Sequence, residues 1–268
     1  MKQIKQMQSV KILLLHLIIF IFIFGCASDK TGIKENQPFN PEDSFKKAND
    51  LIEKKDYEEA RKILEEIRTR DSSQQYAVLA KLRIADTYFE NESFEEAAGE
   101  YEAFLGADSY NKYASYAQYK LALSLFKQIK TIDTSYSTVQ RALKEFEKLR
   151  RNYPRNPYMD ITESRIKACR QMLAEHEFYV GDFYYKKGAY TAAAQRFNTL
   201  LKDYPGSTLE PEALYYLGLS YMNLGQHGLA LSTLKTLIEK FPSLEISSKA
   251  QKQLSSIGYL TIKSDNGK

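Results

Sequence analysis

The chain has 268 residues, 27% of them charged and 43% hydrophobic, a balance that fits a folded chain and excludes wholesale disorder. Its formal net charge of +4 includes Lys2, Lys5 and Lys11, which precede the first acidic residue, Asp29. Without those three lysines the excess is about +1, so the dense basic face of a nucleic-acid binder is not expected. Tyr and Phe are plentiful at 20 and 14, whereas Gly and Pro number only 12 and 7. Sparse turn formers between long periodic segments predict helices, not a many-stranded sheet.

In chain order, a basic start is followed by Ile12 to Phe24, apolar apart from His16. This run is too short for the roughly 20 residues of a membrane-spanning helix and reads as a secretory signal peptide over residues 1–25. Ile23-Phe24-Gly25-Cys26 resembles a bacterial lipobox, which makes Cys26 the acylated first residue of the mature chain. The alternative is an uncleaved anchor with a chance cysteine. Several acyl chains anchor stably where one is marginal. Ala27 and Ser28, not Asp, follow the cysteine, as in lipoproteins sorted to the outer membrane. Residues 26–40 are polar and aperiodic, the pattern of a flexible tether.

The rest reads as an all-α, superhelical array of five tetratricopeptide-like helix pairs with a C-terminal capping helix. The clearest copy is Ala174 to Pro205, with Gly181, Tyr184, Gly188, Tyr190, Ala193, Phe197, Leu200 and Pro205. Ala193 aligns with Ala60, Ala97, Ala142 and Ala230. Four positions later stand Leu64, Tyr101, Phe146, Phe197 and Leu234; seven later, Ile67, Phe104, Leu149, Leu200 and Leu237. Pro154, Pro205 and Pro242 close three copies. The repeat length exceeds the usual 34 or so residues, and the surplus belongs to loops or lengthened helices. Thr131 to Ser137 is polar and aperiodic, which predicts an enlarged turn, whereas Asp160 to Lys187 predicts one long helix. Helix starts are expected at Pro41 and after Tyr57 and Phe94, where acids meet the positive helix end. A capping helix is expected over Ser243 to Ile257, with Ser247, Ser248 and Lys252 on its polar side, then a tail at residues 259–268 that is frayed over Ser264 to Lys268.

Little catalytic chemistry is visible. His176 and His227 lie in different repeats, without ligand spacing for a metal, and neither a phosphate loop nor a serine elbow is present. Neither an enzyme activity nor a cofactor is expected. Cys169 reads as a small residue tucked against a neighbouring helix. The charged runs Glu58 to Glu66 and Glu145 to Arg151 read as solvated faces. The first helices of the pairs form a concave face whose groove positions include Phe45, Leu82, Phe89, Tyr116, Tyr119 and Phe126. Such residues can anchor a peptide; alternatively, they pack on the adjacent repeat or on the long fourth-repeat helix.

The lipobox, the tether and the repeats together resemble the BamD (ComL) family of outer-membrane assembly lipoproteins. The resemblance is carried by Tyr57-Glu58-Glu59-Ala60, by Ala142 to Pro154, and above all by Leu173 to Pro205 with its LAEHEFYVGDFYYKKGAY string. It implies a lipid-anchored scaffold on the periplasmic face of the outer membrane. Its partners would be a POTRA domain of the barrel protein BamA, other Bam lipoproteins and unfolded outer-membrane proteins. Residues 41–154, repeats 1–3, would face substrate, and residues 155–258, repeats 4–5 with the cap, would dock the partner. Arg196 matches a family arginine that faces BamA; alternatively, it merely solubilises its helix face. A periplasmic adaptor coordinating cell-wall enzymes is the competing role.

Overall fold

The computed structural model describes residues 38–107 and 110–265. The signal peptide, Cys26 and most of the tether lie outside the described residues. Among the described residues, the chain from Pro41 onward forms one compact unit of eleven helices. They pair in sequence. The first two pairs are α1 (Pro41–Glu53) with α2 (Tyr57–Arg70), and α3 (Gln75–Glu90) with α4 (Phe94–Ala107). Next come α5 (Ala114–Lys127) with α6 (Ile132–Asn152), and α7 (Met159–Lys186) with α8 (Tyr190–Asp203). The fifth pair is α9 (Glu210–Asn223) with α10 (His227–Lys240), and α11 (Glu245–Asp265) packs over the end. Each helix packs on the next, so the described residues form a tetratricopeptide-like array with an all-α core.

The periodic residues explain why the helices pair. The five aligned alanines are fully buried, and so are Leu64, Tyr101, Phe146, Phe197 and Leu234 four positions on. Residues separated by four and seven lie on one helix face, so a single stripe of each second helix is apolar enough to be buried. The first helices answer with small residues. An added Cβ at Gly181 would stand 2.8 Å from Phe197 Cε1, and at Gly218 it would stand 2.5 Å from Leu234 Cδ2. Those glycines allow backbones to approach until a ring or leucine fills the gap.

The turns repeat as well. Lys55, Glu92, Gly188 and Gly225 occupy equivalent positions with φ between 59° and 74°. The following amide donates back across the turn in each case: Asp56 N to Leu51 O, Ser93 N to Tyr88 O, Ala189 N to Tyr184 O and Gln226 N to Tyr221 O. This six-to-one bond is the Schellman closure of a helix C-terminus. The third pair departs from it. Thr131 to Ser137, expected as an enlarged turn, is instead the start of the 21-residue α6. Neither Gly nor Pro interrupts residues 131–152, and the added turns acquire a partner when Tyr136 packs on α7.

The expected long helix is α7, at 28 residues and about 42 Å. The cap differs in two respects. The helix α11 runs to Asp265, past the expected end at Ile257 and through much of the expected tail. Ser247, expected on its polar side, is buried and donates to Phe241 O at 2.6 Å, holding the cap onto the preceding turn. At α3, Asp71 accepts from Tyr76 N at 2.7 Å and Ala77 N at 2.9 Å. These bonds satisfy amides that the helix itself leaves open. A bond from the Ser73 hydroxyl does most to hold the Asp71 carboxyl below its usual range, with those amides adding to it.

Candidate partner-binding faces

Asp86 is the centre of the N-terminal face. It is buried on α3, and its Oδ1 accepts from Tyr101 Oη at 2.6 Å and Tyr116 Oη at 2.7 Å. One carboxylate thus ties together α3, α4 and α5. Burial, reinforced by the Asp86 charge, pushes both phenols far above the ordinary tyrosine range. Arg83 reaches Asp86 Oδ2 at 3.4 Å, Glu90 Oε1 at 3.5 Å and Asn49 Oδ1 at 2.9 Å, adding α1 to the assembly.

Of the six groove residues Tyr116 bonds this centre directly, and none of the six is fully exposed. Phe45 packs on Tyr76 at 5.8 Å and Phe89 on Phe94 at 5.4 Å. Tyr119 stacks on Tyr158 at 4.4 Å, and Phe126 meets Phe146 edge-on at 6.2 Å. Leu82 is a core residue at 7% exposure. The rings are therefore half-buried and packed on neighbouring rings. Two cations that the sequence reading did not single out stand against these rings. Lys120 Nζ lies 3.7 Å from the Phe89 ring centroid, and Arg165 Cζ lies 4.8 Å from that of Phe126. A lysine and an arginine on helices are unremarkable in sequence, and only the packing brings them to aromatic faces.

Arg196 lies on α8, partly exposed and tied on one side. Its Nη1 donates to Glu177 Oε2 at 3.2 Å. The Glu177 side chain is 2% exposed, whereas that of Arg196 is 44% exposed. Tyr136 Oη donates to Glu177 Oε1 at 3.2 Å, and the Tyr136 ring lies 4.3 Å from that of His176. The carboxylate therefore joins α6, α7 and α8, and the Arg196 side chain remains partly open to solvent. Glu175 and Glu177 flank His176 in sequence; the former is exposed and the latter buried. The sequence does not reveal the role of Glu177, because the partners lie 19 and 41 residues away.

Glu145, expected within a solvated run, is also buried, and accepts from Gln118 Nε2 at 3.0 Å and Lys148 Nζ at 2.8 Å. The side facing α5 turns a charged residue inward because an amide and an ammonium meet it there. Cys169 is fully buried, and burial pushes its thiol up to about 12. Thiolate is the reactive form, so native protein at pH 8 should resist iodoacetamide while denatured protein is alkylated within minutes. Rapid labelling of the folded chain, read by mass spectrometry, would contradict this packing.

A cavity of about 620 Å³ opens between α6, α7 and the α8–α9 turn. Two of the three cations that line it are paired, Arg150 with Glu163 at 3.4 Å and Arg170 with Glu147 at 2.8 Å. Gln171 bonds both Ser207 and Thr208, which makes the cavity a stapled seam. Among the described residues no cluster of three potential metal ligands occurs, and no helix is long and apolar enough to cross a membrane.

A stack of helix pairs of this kind defines a tetratricopeptide-like repeat protein. Residues 38–233 match the family model described as "YfiO: Outer membrane lipoprotein". The chain belongs to this family of outer-membrane lipoproteins. It is 25% identical over 245 residues to the outer membrane protein assembly factor BamD of Neisseria meningitidis serogroup A, covering 87% of this chain and 92% of that one. The corresponding Haemophilus influenzae protein is 31% identical over 101 residues, 38% of each chain. Among solved structures, the chain is similar to the TPR2AB domain of yeast Sti1, with a TM-score of 0.42 and 12% identity over 81% of this chain and 84% of that one. Family membership makes the protein a scaffold and not an enzyme.

Proposed function

We propose that the protein is a periplasmic scaffold of outer-membrane β-barrel assembly, anchored by acyl chains on Cys26. It docks on a POTRA domain of BamA through its C-terminal repeats, alongside other Bam lipoproteins, and receives unfolded barrel substrates on its N-terminal face. The relatives named as assembly factors support the role. The observation that carries the docking face is Arg196, held from behind by a buried carboxylate and open in front. A guanidinium fixed on one edge loses little further entropy when its other edge meets a partner carboxylate, and two-edged pairing is a geometry that lysine lacks.

Arg196→Leu should weaken binding to purified POTRA domains by about tenfold or more, equivalent to at least ~1.4 kcal/mol. The fold should survive, because Glu177 keeps its bond from Tyr136. The stability loss should be about 1 kcal/mol, discounted for the exposure of the arginine. Surface plasmon resonance at two salt concentrations, paired with thermal melts, measures both effects. Undiminished POTRA affinity would remove Arg196 from the docking face. A pull-down from detergent-solubilised membranes tests the role itself: recovery of the assembly barrel supports it, and recovery of cell-wall enzymes alone overturns it.

A further inference from the structure

Lys120 and Arg165 share an anomaly. Charged side chains withdrawn from water are normally paired, because desolvation otherwise works against the charge. Lys120 is half-buried, and burial lowers its ammonium below the usual lysine range. The two carboxylates nearest to it in effect are Asp86 and Glu90. Asp86 already accepts from Tyr101, Tyr116 and Arg83, and Glu90 faces Arg83. Arg165 is also partly buried, and its Nε is shut off from solvent with no acceptor. Among the described residues neither cation has a carboxylate within 4 Å. Both lie against ring faces, Phe89 for one and Phe126 for the other.

The two cations lie beside a cluster of tyrosines. Tyr116 and Tyr119 of α5 lie beside Tyr158, at 6.3 Å and 4.4 Å between ring centroids. Lys120 and Phe126, against which Arg165 lies, are six residues apart on α5, on the order of 9 Å of helix. An extended polypeptide covers that distance in about three residues. We propose that this part of the N-terminal face reads charge: Lys120 and Arg165 accept two carboxylates, spaced about three residues apart, on an extended polypeptide whose neighbouring aromatic and aliphatic side chains lie on Tyr116, Tyr119 and Tyr158. The inference rests on the N-terminal face as the receiver of unfolded chains and adds the composition that it prefers. Aromatic faces beside each cation exclude water without neutralising it, which leaves the charge for an incoming anion.

The test uses the full-length lipoprotein in detergent and isothermal calorimetry. One probe is the acetylated, amidated peptide Ser-Tyr-Asp-Tyr-Val-Asp-Tyr-Ser, and the other carries Asn in place of both Asp. The acidic peptide should bind wild type at least tenfold more tightly, with a preference that shrinks as salt rises. Lys120→Met and Arg165→Met should each reduce the preference at least fivefold. Their melting temperatures should stay level or rise by about 2 °C, because an unpaired cation is replaced by a side chain of similar length. Arg165→Lys, which keeps charge but loses the planar stack, guards against a packing artefact and should retain part of the preference.

Equal binding of both peptides to wild type, or an unaltered preference in both methionine variants, overturns the charge-reading inference. Equal binding that Tyr119→Ala weakens for both peptides leaves the receiving face intact while that inference falls. Failure of both peptides to bind wild type removes the receiving face together with it.

Discussion

Phe197→Ala is expected to cost about 3–5 kcal/mol in urea denaturation, among the largest effects of any single truncation in this chain. The ring is fully buried, and its centroid lies 5.6 Å from that of Phe178 and 6.0 Å from that of Tyr216. It therefore bridges α8 to α7 of its own repeat and to α9 of the next. Gly181 presses on the same ring: a Cβ there would lie 2.8 Å from Cε1 and 3.0 Å from Cδ1. Collapse into the vacated space is limited, because the helices are already at the separation that a glycine permits. Gly181→Val should fail in the opposite sense, by overpacking, at about 1–3 kcal/mol or more. In a stack held by neighbour contacts, the damage should begin at repeats 4 and 5, so hydrogen exchange should rise first in α7 to α9. A cost below about 1 kcal/mol for Phe197→Ala would mean that the ring is not the wedge between these repeats.

Asp86→Ala is the second large loss, at about 3 kcal/mol, and it arises from polar groups left unpaired. The substitution removes the acceptor for the Tyr101 and Tyr116 hydroxyls and one of the carboxylates facing Arg83. Tyr101 is fully buried, so no water replaces its bond without rearrangement, and each buried orphan costs about 1–3 kcal/mol. Asp86→Asn retains an oxygen in place and should cost markedly less. Tyr101→Phe and the double variant complete a cycle whose coupling energy reports the bond itself. If alanine and asparagine were equally tolerated, Asp86 would not be what organises the N-terminal face. The variant also checks the groove, since Tyr116 loses the bond that sets its orientation.

The core was legible because its signal is local. Alanine, then a large apolar residue four and seven positions on, specifies one buried stripe within two turns of helix, and every copy of that stripe is buried as the spacing predicts. The same rule misjudged Thr131 to Ser137. Polarity without apolar periodicity resembles a turn, yet no residue there breaks a helix, and Tyr136 gains its neighbours from residues 176 and 177. Ser247 and Glu145 show the same limit: a polar residue is drawn inward when a carbonyl, amide or ammonium from elsewhere meets it.

By itself, then, the sequence determined the repeat, its buried stripes, the long α7 and the wording that places the chain among outer-membrane lipoproteins. Only the tertiary structure decided which charges are buried and what holds them. Glu177 with Arg196 and Tyr136, Asp86 with Tyr101 and Tyr116, and Lys120 and Arg165 against their rings all join residues from different helices. Hydrophobic periodicity is written along one helix, where neighbours in sequence are neighbours in space. The direction and pairing of a charge depend on a helix tens of residues away, and no local spacing records that.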